Sequence, residues 1–337
     1  MSEQLQSDFD KIVKNSKFSN KEIQLKKDFL NKFIESGFPN RKQEDWKFLD
    51  ISQIIKKNIS DLSYFIDYSQ SNKIDPSTFV DGLEHNKIIF LNGRIEKIDF
   101  NHEDKSKIEI SDETKKDISF NYENSLIDLN SAFTDKVFKI LVKKDYSLKK
   151  PLIIYHSTND SIKSTNINLR LDFELGENSC LKLIDYFANN TTKNFINIFY
   201  NFNLEKDSIL KNYKIDKFRN DNLTYSFNNI EQGNNSVSET FILSAGSDYL
   251  KNEINCNLNG EYSSAFINGV FSLKENQQHE IRTTINHLVE NTKSYQLIKS
   301  VLGKNSKSAY QGRIFVNSKA QKTDGYQLSK AILLDET

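Results

Sequence analysis

From about Gly176 onward a turn-like cluster returns roughly every 14 residues, and between clusters apolar and polar residues alternate as along a half-buried strand. The clusters include Gly176-Glu177-Asn178, Asn189-Asn190, Glu205-Lys206-Asp207, Arg219-Asn220-Asp221, Gln232-Gly233-Asn234, Ala245-Gly246-Ser247 and Asn259-Gly260-Glu261. Lys274-Glu275-Asn276, Glu290-Asn291-Thr292, Gly303-Lys304-Asn305 and Asn317-Ser318-Lys319 continue the series. Between them lie alternating runs such as Ile167 to Leu175, Ile196 to Leu204, Leu223-Tyr225-Phe227, Val237 to Leu243, Ile254-Cys256-Leu258 and Ala265 to Leu273. Each run offers one apolar face, and these faces are expected to turn inward as a core of apolar rows.

No single run can fold alone. Burying three side chains gains about 6 kcal/mol, while ordering about 14 backbone units costs about 14 to 28 kcal/mol. Pairing with like neighbours must supply the difference, which is the logic of a repeat protein. Two strands per turn give a flattened parallel β-helix of about 28 residues per coil, with coils stacked at the ~4.8 Å strand spacing. An antiparallel sandwich or barrel alternates in the same way, and periodicity leaves both architectures open.

Upstream the signals change. Ser19 and Glu22 stand in the S-x-x-E arrangement of a capping box, an apolar face follows through Phe29, Leu30 and Phe33, and Gly37 and Pro39 end the helix. Residues 40–61 read as a second, shorter helical segment. Asn92-Gly93 between two apolar runs predicts a hairpin. The expected division is a helical segment over 1–60, a mixed α+β connecting region over 61–135 and a β-helix core over 136–337.

Composition narrows function. Lys and Arg total 46 against 46 acidic residues, with no basic block interleaved with aromatics, so nucleic acid is not an expected partner. No secretory signal is visible and no apolar run approaches the ~20 residues of a membrane span, so a cytoplasmic chain without a membrane partner is expected. Two cysteines suggest no disulfide framework. The heavy use of Lys, Asn and Ile fits the codon drift of an A/T-rich genome, so surface Lys and Asn are expected to carry no individual message. The Asn58 and Asn189 sequons are read as chance.

Candidate chemistry is sparse. The five histidines stand in no metal-ligating spacing, and His287 shares the parity of Ile281, Thr283 and Ile285, which reads as a hydrogen-bonded residue of the strand stack. Cys256 falls in step with Ile254 and Leu258 as a buried thiol. Trp46, the only tryptophan, reads as an anchor of the N-terminal segment. Phosphate-loop, dinucleotide-binding and nucleophile-elbow motifs are absent, so no catalytic residue, metal site or bound cofactor is predicted.

Three C-terminal blocks carry a resemblance. They are His287 through Lys299 with Thr292, Ser294 and Gln296; Tyr310-Gln311-Gly312-Arg313-Ile314-Phe315-Val316; and Ala320-Gln321-Lys322-Thr323-Asp324-Gly325-Tyr326-Gln327. Together they resemble the SufB/SufD family of iron-sulfur cluster assembly proteins. Gly37-Phe38-Pro39 followed by Arg41 to Phe48, with Trp46-Lys47, is similar to the N-terminal motif of the SufD branch, as are Asn92-Gly93-Arg94 and Leu129 to Phe133.

The resemblance implies a right-handed parallel β-helix and marks Trp46, His287, Gln296, Gly312, Ala320, Gln321, Thr323 and Gln327 as structural or interface residues rather than catalytic ones. It also implies a SufB-like partner subunit and a SufC-like ABC ATPase, with an iron-sulfur cluster held only transiently in the full complex. Family members continue past the leucine run that Leu333-Leu334 begins, into a block with cysteine and histidine and terminal helices. The sequence is therefore expected to be C-terminally truncated, with cluster ligands and the ATPase-docking helices beyond Thr337. Tyr310, where the family usually has Phe, reads as a tolerable packing change. Alternatives are a SufB-like primary cluster scaffold and a β-helix carbohydrate lyase or hydrolase.

Overall fold

A computed structural model describes residues 2–68, 79–113, 123–159, 162–187, 193–217 and 220–334. The Asn189-Asn190 turn with its sequon, and Arg219, lie outside the described residues, whereas Asn220 and Asp221 are already strand.

The chain opens with α1 (Ser2–Asn15), a helix not read from the sequence, and α2 (Asn20–Ser36). The capping box forms as expected: Ser19 N donates to Glu22 Oε2 at 2.7 Å and Glu22 N to Ser19 Oγ at 3.3 Å. Gly37, at φ 67°, closes the other end with its N–H on Phe33 O at 2.7 Å. The continuous second helix expected over 40–61 is broken instead. A single 3-10 turn spans Glu44–Trp46, then α3 (Ile51–Ile54) runs into a π turn over Ile55–Ile59. Asp50 starts α3 afresh by accepting from Gln53 N at 2.9 Å, while the preceding turn buries Trp46 and Leu49.

Two sheets follow. One contains β1 (Asn86–Leu91), β2 (Arg94–Asp99), β5 (Leu152–Ser157), β7 (Cys180–Phe187), β9 (Ile209–Asp216), β11 (Val237–Ser244), β13 (Ser264–Leu273), β15 (Lys293–Leu302) and β17 (Asp324–Leu333). The other contains β3 (Ile108–Glu113), β4 (Val137–Val142), β6 (Asn166–Leu175), β8 (Phe195–Leu204), β10 (Asn220–Gln232), β12 (Ser247–Leu258), β14 (Gln278–His287) and β16 (Lys307–Val316). From β4 onward each strand lies in the opposite sheet to the one before it and pairs in parallel with the strand two further on. Ile209 pairs with Val237 and Val237 with Ser264, steps of 28 and 27 residues, one coil each. The predicted two-strand β-solenoid is the fold, with about 6 turns.

The hairpin of β1 and β2 forms with Asn92 at φ 50° and Gly93 at φ 85°. Together with the antiparallel β3/β4 pair it closes the first-coil edges of both sheets, so the sheets begin within residues 61–135. Helix α4 (Ser125–Phe133), α1, α2 and the 44–59 segment cover the outer face of the even-numbered sheet. Asn130 fixes α4 there, donating to Leu169 O and Asn197 O at 2.9 Å.

One corner of the solenoid repeats a chemical device. Its four- to seven-residue turns place a left-handed residue at Asn178, Asp207, Asn235, Tyr262, Asn291 and Lys322. Next to each comes a hydroxyl, and Ser208, Ser236, Ser263, Thr292 and Thr323 donate to the carbonyls of Glu205, Gly233, Gly260, Val289 and Ala320 at 2.6 to 3.3 Å. The alternation of Ile167 to Leu175, Ile196 to Leu204 and Ala265 to Leu273 points inward as expected.

In β10 and β11 the phase is the reverse of the expected one. Leu223, Tyr225 and Phe227 face out against the helical layer, while Thr224, Ser226 and Asn228 face in; in β11 the inward residues are Ser238, Thr240, Ile242 and Ser244. The apolar run of β10 is buried, but by the helices, and the middle coils enclose polar side chains. The asparagines are not neutral decoration either. Asn229 donates to Asn201 Oδ1, Asn255 to Asn229 Oδ1 and Asn286 to Asn255 Oδ1 at 3.0 to 3.2 Å, a ladder with one rung per coil.

At the opposite corner Asp216 accepts from Ser247 N at 2.9 Å, Ser247 Oγ at 3.0 Å and Gly246 N at 3.3 Å. His279 Nε2 donates to Ser247 O at 2.5 Å, and Nδ1 accepts from Ser244 at 2.7 Å. Burial pushes the Asp216 carboxyl up to about 6 against those donors, and the His279 imidazole down to about 4. Between pH 6.5 and 4 an unfolded His279 binds a proton that the folded one refuses, so falling pH destabilises. Between pH 6 and 3.8 the folded Asp216 keeps a proton that the unfolded one releases, so falling pH stabilises. Each contributes about 3 kcal/mol over its range, and the two nearly offset. Asp216→Asn is therefore expected to steepen the loss of stability below pH 6.5 relative to wild type, and His279→Gln to flatten it. Urea midpoints at several pH values between 4 and 7 read this directly; three parallel profiles would show that neither group titrates there.

Candidate functional site

The predicted residues fall into three groups. Gln296, Gly312 and Gln327 converge inside the last coils. Gln296 pairs in register with Gln327, and Tyr310 of β16 donates its hydroxyl to Gln296 Oε1 at 3.0 Å, with Thr283 Oγ1 3.4 Å away. Gly312 is the space that permits this. A Cβ there would lie 2.4 Å from Gln327 Oε1 and 2.5 Å from the Tyr310 hydroxyl. Gln296 is buried and its Nε2 has no partner among the described residues. Tyr310 thus does more than fill space, because its hydroxyl is the donor that holds Gln296.

His287, Ala320, Gln321 and Thr323 form a second group at the hydroxyl-bearing corner. The His287 ring bridges Thr292 Oγ1 (Nδ1, 2.7 Å) and Ser294 Oγ (Nε2, 2.9 Å), and burial lowers its pKa against the opposing pull of Asp324. Ala320 is buried in the last turn, its N–H on Asn317 O at 2.9 Å. Gln321 O accepts from Asn291 N at 2.9 Å, tying that turn to the coil before it, and Thr323 is the last rung of the hydroxyl series.

Trp46 stands apart, on the outer face of the even-numbered sheet. It packs on Tyr225 with ring centroids 5.4 Å apart, and the Lys251 ammonium lies 4.1 Å from its ring centroid. Lys251 also meets Glu280 Oε1 at 2.6 Å, Glu253 Oε1 at 3.3 Å and Asp45 O at 2.5 Å. Arg282 reaches Asp45 Oδ1 at 2.6 Å, and Gln311 Nε2 reaches Glu44 O at 3.4 Å, so β12, β14 and β16 all hold the Trp46 segment.

Sequence reasoning missed this cluster of charges, as it missed a second one inside the solenoid. There Asp185 receives Lys214 Nζ at 2.5 Å, His156 Nε2 at 2.6 Å and the Tyr200 hydroxyl at 2.6 Å. Burial alone would raise the Asp185 carboxyl, yet the neighbouring Lys214 and His156 hold it well below the usual carboxylate range. The available signal was a charge at inward parity, as at Asp185 and Lys214.

What the arrangement offers is hydrogen bonding and strand edges. Burial pushes the Cys256 thiol up to about 12, with Sγ on Gln232 Oε1 at 3.0 Å, and raises the Cys180 thiol as well. Among the described residues no group of three or more His, Cys, Asp or Glu side chains is placed to hold a metal ion, and no helix is long and apolar enough to cross a membrane.

Comparison with known proteins agrees with the signature. The profile described as "SUF system FeS cluster assembly, SufBD core domain" matches residues 155–337, which carry every signature residue except Trp46. The iron-sulfur cluster assembly protein SufD of Escherichia coli (strain K12) is 23% identical over 289 residues, 83% of this chain and 66% of that protein. The match therefore spans just under two thirds of that relative's length. With the profile covering more than half of its length and the solenoid beneath the match, the chain belongs to the SufB/SufD family of iron-sulfur cluster assembly proteins and is SufD-like within it.

Proposed function

We propose that the chain is a non-catalytic scaffold subunit of iron-sulfur cluster assembly, pairing with a SufB-like subunit and working with a SufC-like ABC ATPase. The cluster is cargo of the whole assembly, passing through it without a resident ligand set in the residues described here. The observation that carries the reading is the family match laid over the solenoid, from β5 to β17. Two features of the last coils support a docking role. Strands β16 and β17 are the outermost strands of their sheets among the described residues. Around those edges Phe315, Val316, Tyr326, Ile332 and Leu333 are exposed.

The test is co-expression of the full-length protein with SufB-like and SufC-like partners, followed by affinity capture and size-exclusion chromatography under anaerobic, reducing conditions. Co-elution of all three is expected, with at least a tenfold loss of the SufB-like subunit on Phe315→Lys combined with Ile332→Glu. A full-length protein that captures neither partner sinks the proposal. Cluster assembly on the isolated chain would point instead to a primary scaffold.

A further inference from the structure

The inward rows of the solenoid can be followed from coil to coil through the parallel register. One runs Ile198, Ser226, Asn252, Ile281; another Leu183, Asn212, Thr240, Ile267; a third Ile196, Thr224, Leu250. In each the ends are aliphatic and the middle is polar. Ser226 is shorter by two heavy atoms than the isoleucines in its row. The strands on either side keep their ~4.8 Å spacing, so the sheets cannot close onto the missing volume.

These polar residues are among the most enclosed in the molecule: Asn212, Thr224, Ser226 and Asn228 are each 1% exposed. Three of them carry an oxygen without a partner among the described residues, namely Asn212 Oδ1, Thr224 Oγ1 and Asn228 Oδ1. The Asn228 amide nitrogen is already committed to Ser226 Oγ at 3.1 Å and Glu253 O at 2.9 Å, so the side chain cannot flip to relieve its oxygen. Toward the N-terminus the layer ends at the Lys214–Asp185–His156–Tyr200 group. Toward the C-terminus it ends where Ile281 and Ile298 press on Gly269, whose absent Cβ would stand 2.9 Å from Ile298 and 3.1 Å from Ile281.

We infer that the coils formed by β9 to β12 enclose a string of ordered water, bound by Asn212, Thr224 and Asn228. A buried polar oxygen without a partner is strongly disfavoured, and Thr224 and Asn228, four residues apart on β10, each need a partner of their own, as does Asn212. A string of waters supplies these partners, and the amide and hydroxyl groups that line the layer offer each water further polar contacts. The ammonium of Lys214 is matched by Asp185, so the layer asks for a neutral guest.

A crystal structure of the full-length protein at a resolution that reveals solvent is the test. Water density within about 3.2 Å of Asn212 Oδ1, Thr224 Oγ1 and Asn228 Oδ1 is expected. Thr224→Val keeps the shape and removes the hydroxyl; with water present, it loses the adjacent density and lowers the urea midpoint. In a dry interior the same substitution deletes an unsatisfied group and raises the midpoint. Absence of density beside all three oxygens in the wild-type protein overturns the inference whatever the variant does.

Discussion

Asp185→Asn is expected to cost the folded protein about 3 to 5 kcal/mol, read as a large fall in the urea midpoint, because it leaves a buried ammonium without its counter-charge. The Lys214 side chain is 4% exposed and the carboxylate it faces is fully enclosed. The substitution keeps size but turns one of the two acceptor oxygens into a donor, so the loss measures charge and hydrogen bonding and not packing. Among the described residues the Tyr200 ring, 3.9 Å from Lys214 Nζ, also faces the cation, and a desolvated contact of this kind returns about 2 kcal/mol, less than a full counter-charge. His156, clamped between Phe90 and Phe187 with centroids 5.9 and 4.8 Å away, is left to share a single acceptor oxygen with Lys214 and Tyr200. Two further results identify the cause. Asp185→Leu with Lys214→Met should recover most of the loss, since a buried pair replaced by apolar residues is often neutral. The deficit of Asp185→Asn alone should narrow at alkaline pH, where Lys214 can shed its proton. A single-variant loss under about 1 kcal/mol would mean that the group is hydrated and contributes little.

That buried group marks the boundary of what was legible in the chain. Turn residues at the solenoid corners are dictated locally, by a left-handed position and a hydroxyl that closes the turn, so the coil length could be read from the sequence. The phase of a strand is a different matter. Leu223, Tyr225 and Phe227 alternate as clearly as Ile196, Ile198 and Tyr200, yet they face opposite ways, because their cover comes from Trp46, Leu126 and other residues far off in the sequence. Alternation says that one face is buried and leaves open which body buries it. The asparagine ladder was hidden for a related reason: Asn201, Asn229, Asn255 and Asn286 acquire meaning only when coils bring them into line.

The candidate site was legible as a signature and not as a geometry. Gln296, Gly312 and Gln327 are separated by 15 or more residues, and only stacking shows that the glycine exists to seat the Tyr310 hydroxyl and the Gln327 amide. Thr323 repeats the corner hydroxyl of the four coils before it, and His287 adds a ring that bridges two hydroxyls at the same corner, so their place in the signature follows from how the last turns are closed. Charges at inward or helix-facing positions, Lys251 and Asp185 above all, gave little local sign of their partners, since Lys214, His156 and Glu280 lie about one coil away and Asp45 in the N-terminal segment.

Lys251→Met is the substitution expected to separate the N-terminal layer from the solenoid. The ammonium is fully buried and joins Glu280, Glu253 and the Asp45 carbonyl while lying against the Trp46 ring. Removing it strands two carboxylates, for which, among the described residues, Arg282, 3.9 Å from Glu253, remains as a cation, and the expected loss is about 3 to 5 kcal/mol. Trp46 is the only tryptophan in the chain, so its fluorescence reports this junction without interference. A red-shifted emission at low urea, ahead of the main loss of β-sheet circular dichroism, is expected because the layer is also held by Arg282 and Gln311 and should loosen before the coils do. The pH dependence has a definite sign. Burial already raises the Glu280 carboxyl, and Lys251 is the first of the groups opposing that rise. In the variant the folded state holds a proton on Glu280 that the unfolded state releases, so stability falls as pH rises through this range and the deficit is smaller at pH 5 than at pH 7. Lys251→Arg, which keeps the charge but not the compact fit over Trp46, should fall between the two. An unchanged Trp46 emission together with an unchanged urea midpoint in Lys251→Met would show that the N-terminal layer is held without Lys251, by Arg282, Gln311 and its apolar contacts with Tyr225 and Phe195.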